Sequence, residues 1–165
     1  MLPERQVARR LPGTDGKEKM SKSLGNCIYL SDSKDELWQK VRSMYTDPNH
    51  LRVDDPGKTE GNAVFTYLDA FATDQDFADF LPEYPNLAEL KAHYERGGLG
   101  DMKCKKLLFE ILDRILAPMR ERRAELEKDI PAIMQILKDG TAVARETAAQ
   151  TMSEVRKAMQ IDYFG

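Results

Sequence analysis

From Ser33 onward, apolar positions recur at intervals of three and four residues, the period of helices that bury one face. Leu37, Trp38, Val41 and Met44 or Tyr45 form the first stripe, and Ser33 stands at capping-box spacing from Glu36. A second stripe, Val64, Phe65, Leu68, Ala70 and Phe71, starts from Asn62, with a break expected at Asp74-Gln75-Asp76 before the short piece Phe77 to Leu81. Pro82 and Pro85 stop that piece. Asn86 suits an N-cap for a helix over 87–94, and Gly97-Gly98 can close it with positive φ. The clearest helix carries Leu107, Leu108, Ile111, Leu112, Ile115, Leu116 and Met119 on one face, and Pro118 within it predicts a kink or a division. Asp129 with Pro131 opens another helix, running to Gly140, and Thr141 caps a last one whose face of Ala142, Ala149, Val155, Ala158 and Met159 is thin. Ahead of these, Cys27-Ile28-Tyr29-Leu30 reads as a short strand, and residues 3–12 as a connector. The pattern predicts a mainly α chain: a helical bundle of five or six helices with short links.

Composition narrows the class. With 41% apolar and 32% charged residues, the 165-residue chain has the makeup of a soluble globular protein with one core. It has no apolar run near the roughly 20 residues needed to span a bilayer and no signal-type start, so a cytoplasmic protein without membrane contact is expected. Cys27 and Cys104 are far apart and read as reduced structural thiols, and with only His50 and His93 beside them no metal site is expected. His50 lies among turn residues and is expected at the surface of a loop, whereas His93 is expected to be a structural histidine on its helix. Trp38, the sole tryptophan, is expected to be a core or interdomain anchor.

A net charge of −3 excludes a uniformly basic surface, so any contact with nucleic acid must be local. Residues 101–123 hold seven Lys/Arg against four acids, whereas 69–89 hold six acids and no Lys or Arg. Lys103, Lys105, Lys106, Arg120, Arg122 and Arg123 are therefore the candidates for a sugar-phosphate backbone, with solvated helix faces as the alternative.

The densest chemistry precedes the helices. Lys17-Glu18-Lys19-Met20-Ser21-Lys22-Ser23 packs three lysines and two serines between Gly13, Gly16 and Gly25. Point charges, hydroxyls and free N–H groups on a mobile backbone suit a polyphosphate, and the order is not that of a P-loop. Lys19-Met20-Ser21-Lys22-Ser23 resembles, letter for letter, the second signature of class I aminoacyl-tRNA synthetases. Leu11 to Gly16 resembles the family's lead-in, and Leu24-Gly25-Asn26 and Ile28 to Ser31 resemble the residues C-terminal to the signature in that family. Met44-Tyr45-Thr46-Asp47-Pro48, Asp55-Pro56-Gly57-Lys58 and Glu60-Gly61-Asn62 resemble the tryptophanyl branch, with the tyrosyl branch as the alternative.

The resemblance implies a C-terminal piece of such an enzyme, since the first signature, His-Ile-Gly-His, does not occur. It assigns 1–31 to the end of a Rossmann-like catalytic domain with the signature loop, and 32–165 to an anticodon-binding helical domain. It implies a ligase that charges tRNA(Trp) with tryptophan, using ATP with Mg²⁺. Lys19 and Lys22 would act catalytically on the phosphates, with Met20, Ser21 and Ser23 also binding the nucleotide. This chain alone is expected to be inactive. The family is dimeric largely through the other half, so a monomer is expected for this piece. A stand-alone helical RNA-binding module is the alternative function.

Overall fold

The computed structural model describes residues 11–17 and 19–163. The expected connector at 3–12 lies largely outside the described residues, as does Glu18 of the signature loop. Among the described residues six helices occur: α1 (Lys34–Arg42), α2 (Ala63–Phe71), α3 (Asp74–Phe80), α4 (Leu87–Arg96), α5 (Asp101–Leu126) and α6 (Ile130–Ala158). They belong to two compact units, one running to Arg120 and the other from Glu121.

The first unit is built as the periodicity requires. Ser33 caps α1: its hydroxyl accepts the Glu36 N–H at 3.2 Å, and the Glu36 carboxylate accepts the Ser33 N–H at 2.8 Å. Asn62 caps α2 and Asn86 caps α4. Gly97 and Gly98 take φ of 88° and 101°, which ends α4 where a side chain would be strained. Leu37, Val41, Phe65, Leu68, Phe77, Leu90, Tyr94, Leu108 and Ile111 make one continuous core. Trp38 packs on its edge, its ring meeting Phe109 edge-on at 5.1 Å.

Several expectations are corrected here. Cys27–Leu30 is not a strand, because no neighbouring backbone pairs with it; the one β-type contact among the described residues is the isolated bridge between Pro12 and Lys19. The break after α2 falls at Ala72-Thr73 rather than at Asp74-Gln75-Asp76. Thr73 and Asp76 form a second capping box, so those residues open α3. Of the kink or division expected at Pro118, the division does not occur: α5 continues through it, since one lost backbone bond does not outweigh the burial of Leu107, Leu108, Ile111, Leu112 and Leu116. His50 is buried rather than on the loop surface: its Nδ1 lies 3.1 Å from an Asp101 carboxylate oxygen, and its ring packs on Tyr94.

The second unit holds the end of α5, a turn and α6. Asp129 caps α6 with its carboxylate, which accepts the Ala132 N–H. The helix expected to stop at Gly140 runs on to Ala158, and Thr141 is interior, its hydroxyl donating to the Leu137 carbonyl at 2.6 Å. Ile130, Met134, Leu137, Met152, Val155 and Met159 recur along α6 and are all exposed, so its apolar face is not part of a core among the described residues.

Candidate functional site

The described residues between Leu11 and Asn26 form a hairpin-like turn in which the loop's own polar groups make many of the bonds. Its two arms meet at the Pro12–Lys19 bridge and at a Thr14 N–H bond to the Asn26 carbonyl, 3.0 Å. Between Ser21 and Gly25 the chain turns tightly: the Leu24 and Gly25 N–H groups donate to the Ser21 and Lys22 carbonyls, and Gly25 takes φ of 66°. The Ser21 and Ser23 hydroxyls lie 2.9 Å apart.

Asn26 sits at the centre, 3% exposed. Its side-chain carbonyl accepts the Ser21 N–H at 2.7 Å, and its amide nitrogen donates to Asp15 Oδ2 at 3.1 Å and to the Lys19 carbonyl at 3.4 Å. Asp15 in turn accepts the Lys17 N–H through its other oxygen at 3.2 Å. Gly13 leaves the room for this amide: a Cβ there would lie 2.1 Å from Asn26 Nδ2.

Two tyrosines fasten the loop's leading arm to the helical unit. The Tyr67 hydroxyl on α2 donates to the Pro12 carbonyl at 2.7 Å, and the Tyr45 N–H donates to the Thr14 carbonyl at 2.9 Å. Burial, helped by the charges of Cys27 and Asp15, pushes the Tyr67 phenol up to about 12, which keeps its proton in place as a donor at neutral pH. Gly16, with φ of 69°, lies against the Tyr45 ring so closely that a Cβ would come within 2.6 Å.

The structure thus gathers Lys19, Met20, Ser21, Lys22 and Ser23 on one turn. Lys19, Lys22 and Ser23 are exposed, and Met20 and Ser21 are half-buried. Among the described residues neither lysine is engaged in an ion pair. Two exposed lysines beside two hydroxyls on a turn braced by Asn26 can neutralise and hydrogen-bond a polyanion.

The six basic candidates on α5 are not gathered in the same way. Lys105 is not on an exposed basic face: it is buried, its ammonium donating to the Arg42 carbonyl at 2.9 Å at the C-terminus of α1. Burial lowers its pKa and the Asp101 charge raises it, with a net lowering. Lys103 pairs with Glu83 at 2.7 Å. Arg120 is held by Asp113, which also pairs with Lys34 at 2.9 Å. Arg123 pairs with Glu127 at 2.7 Å. Lys106 is exposed at a groove of about 430 Å³ that is also lined by Trp38, Met102 and Phe109. Arg122 is exposed in the second unit. The acidic run 69–89 explains part of this, because Asp69, Asp76 and Glu83 pair with Lys91, Arg114 and Lys103. Sequence reasoning passed over Asn26, Asp15, Tyr45 and Tyr67. The short Gly-Asn and Thr-Asp-Gly runs were the available signal for the first pair, and none existed for the tyrosines.

A helical bundle joined to a lysine-serine turn of this kind defines a class, and comparison with known proteins agrees. The family model of class I tRNA synthetases (W and Y) matches residues 2–117, and the chain belongs to that family. It is 59% identical over 164 residues to the tryptophan–tRNA ligase of Clostridium longisporum, and 55% identical over 164 residues to that of Streptococcus pyogenes. Each match covers 99% of this chain but 45% and 46% of the relative, so the chain spans about half the length of the curated relatives it matches. The crystal structure of tryptophanyl-tRNA synthetase from Campylobacter jejuni with ADP and tryptophan superposes with a TM-score of 0.69 at 28% identity, covering 92% of this chain and 43% of that one. No helix among the described residues is long and apolar enough to cross a membrane.

Proposed function

We propose that this chain supplies the signature loop and the helical RNA-binding part of a tryptophan–tRNA ligase, in which residues 1–31 close the catalytic domain and 32–165 form the anticodon-binding domain. The observation that carries the reading is the Lys19–Ser23 turn, with both lysines exposed and its backbone braced by the Asn26 side chain, in a chain 59% identical to such a ligase. In that reaction the tryptophan carboxylate attacks the α-phosphorus of ATP, pyrophosphate leaves, and the aminoacyl group passes to the tRNA 3′ end. Lys19 and Lys22 stabilise the charge that builds on the leaving phosphates, and Ser21 and Ser23 hydrogen-bond them. Fixed charge aimed at a developing anion is worth about 3 kcal/mol per group. Mg²⁺ would accompany the ATP and would supply charge neutralisation on its phosphates. Asp15, a carboxylate of this loop, is bonded to Asn26 and the Lys17 N–H, which fits a metal that would be held by its nucleotide rather than by Asp15. A cytoplasmic homodimer is the assembly that goes with this reading.

The test is tryptophan-dependent ATP–pyrophosphate exchange by the intact ligase that carries this sequence. Lys22→Ala is expected to slow exchange by about a hundredfold, the equivalent of ~3 kcal/mol, with the unfolding midpoint unchanged. Exchange at the parent rate removes the loop from the chemistry.

A further inference from the structure

The signature loop is rich in hydrogen bonds that no lysine or serine side chain explains. Four of them converge on the buried amide of Asn26 and the carboxylate of Asp15: the Ser21 N–H to Asn26 Oδ1, Asn26 Nδ2 to Asp15 Oδ2, Asn26 Nδ2 to the Lys19 carbonyl, and the Lys17 N–H to Asp15 Oδ1. Every backbone group tied in this way belongs to the segment that carries the lysines. Gly13 lies beneath the amide, where any larger residue would displace it.

We propose that Asn26 and Asp15 form a clasp that sets the conformation of the lysine-serine turn, and are positioning residues for phosphate stabilisation in the reaction assigned above, on whose assignment this inference rests. Asp15 is half-buried, and the amide of Asn26 faces inward. Asn26 is 3% exposed and acts through the Ser21 and Lys19 backbone. The clasp depends on complementary polarity: an amide must face a carboxylate, because the amide both accepts from Ser21 and donates to Asp15. A carboxylate at position 26 would keep the bond from Ser21 but set its second oxygen against Asp15 Oδ2 and the Lys19 carbonyl, which repel it. Exchanging the two side chains restores a donor facing an acceptor between positions 15 and 26 and leaves the net charge as it was, with only the long 3.4 Å contact to the Lys19 carbonyl left unmade. Asp15 Oδ1, which serves Lys17, has an equivalent in the amide oxygen of asparagine.

The experiment compares Asn26→Asp, the exchanged pair Asn26→Asp with Asp15→Asn, Gly13→Ala and Lys22→Ala in the intact ligase, reading kcat for pyrophosphate exchange, KM for tryptophan and the unfolding midpoint. Loss of a charge-assisted clasp is expected to lower kcat about tenfold or more for Asn26→Asp and for Gly13→Ala, with KM for tryptophan unmoved. The exchanged pair is expected to recover most of the loss, which a general packing defect would not do. Amide exchange of the Ser21 N–H in the 165-residue chain is expected to be slow in the parent and the exchanged pair, and fast in the two single variants. If Lys22→Ala abolishes exchange while Asn26→Asp does not, the clasp is overturned and the assigned function stands. If Lys22→Ala is also silent, the functional assignment falls with it. Failure of the exchanged pair to recover either kcat or Ser21 protection overturns the clasp.

Discussion

Replacing Tyr94 by phenylalanine deletes one oxygen from the most polar point of the core. Tyr94 is 0% exposed, and its hydroxyl donates to Asp101 Oδ1 at 2.6 Å while Asn62 Nδ2 approaches it at 3.4 Å. The same carboxylate meets His50 Nδ1 at 3.1 Å and takes the Thr46 hydroxyl at 3.0 Å, so Asp101 ties the 46–62 connection to α4 and the start of α5. Burial first, then the bond to Asp101 and its charge, raises the Tyr94 phenol well above its ordinary range, so it remains the proton donor at neutral pH. Phenylalanine keeps the ring and its contacts with His50 and Phe65, both with centroids at 4.7 Å. What is lost is one hydrogen bond to a charged acceptor, about 1.5–3 kcal/mol. Urea unfolding followed by the fluorescence of Trp38, the sole tryptophan, reports on the unit that contains Tyr94. With a slope of about 1–3 kcal/mol per molar, the midpoint is expected to fall by roughly 1 M. In an Asp101→Asn background the same substitution should cost much less, since the two share one interaction. A loss below about 0.5 kcal/mol, or an equal loss in both backgrounds, refutes the assignment of this energy to the Tyr94–Asp101 bond.

Acid should weaken the first unit through Asp113. Burial raises its pKa, but the bonds and charges of Lys34 and Arg120 outweigh this and hold it below the usual carboxylate range. Its contribution is therefore complete above an unfolded value of about 3.9 and is lost as pH falls through the lower folded value. Asp113→Asn should be less stable at neutral pH and lose less between about pH 4 and pH 2, as read by unfolding midpoints across that range. Cys104 should resist thiol reagents in the native state: it is 1% exposed, and burial, aided by the Asp101 charge, pushes its thiol up to about 12. Labelling at neutral pH that is as fast as in urea would contradict this placement. For RNA, Lys106→Glu and Arg122→Glu should weaken salt-dependent tRNA binding by this chain, whereas Lys105→Met should leave it intact under conditions where the variant is folded. Weaker binding by folded Lys105→Met would show that the buried amine reaches the RNA after all.

What the sequence made legible was local. Ser33 with Glu36, Asn62, Asn86 and Gly97-Gly98 act through neighbours within a few residues, and α1, α2 and α4 start or stop where those residues indicate. The errors arose where a residue's local signal met a longer-range or continuous interaction. Pro118 and Gly140 are weak helix formers, yet the helices run through both positions. Thr141 has the side chain of an N-cap but bonds back to Leu137 instead. His50 sits among turn residues, but its partner is Asp101, far along the chain, which turn chemistry cannot reveal. Lys105 looked like its neighbours in a basic run, and only the helical phase that turns it toward the end of α1 separates it from Lys106.

The signature loop shows the same division within sixteen residues. Its letters revealed the charged groups, because exposed lysines and serines act directly and their type is their chemistry. They did not reveal what shapes the turn, because that work falls to groups whose partners are not their neighbours in sequence: Asn26 on Ser21 and Asp15 on Asn26 within the loop, and, from beyond it, the Tyr45 N–H and the Tyr67 hydroxyl on the carbonyls of Thr14 and Pro12. These bonds satisfy the backbone while leaving Lys19 and Lys22 exposed. A loop that spent its lysines on its own carbonyls would be as well folded and would offer no charge to a phosphate. Holding the turn with an amide, a carboxylate, one phenol and a backbone N–H is what keeps its cations available.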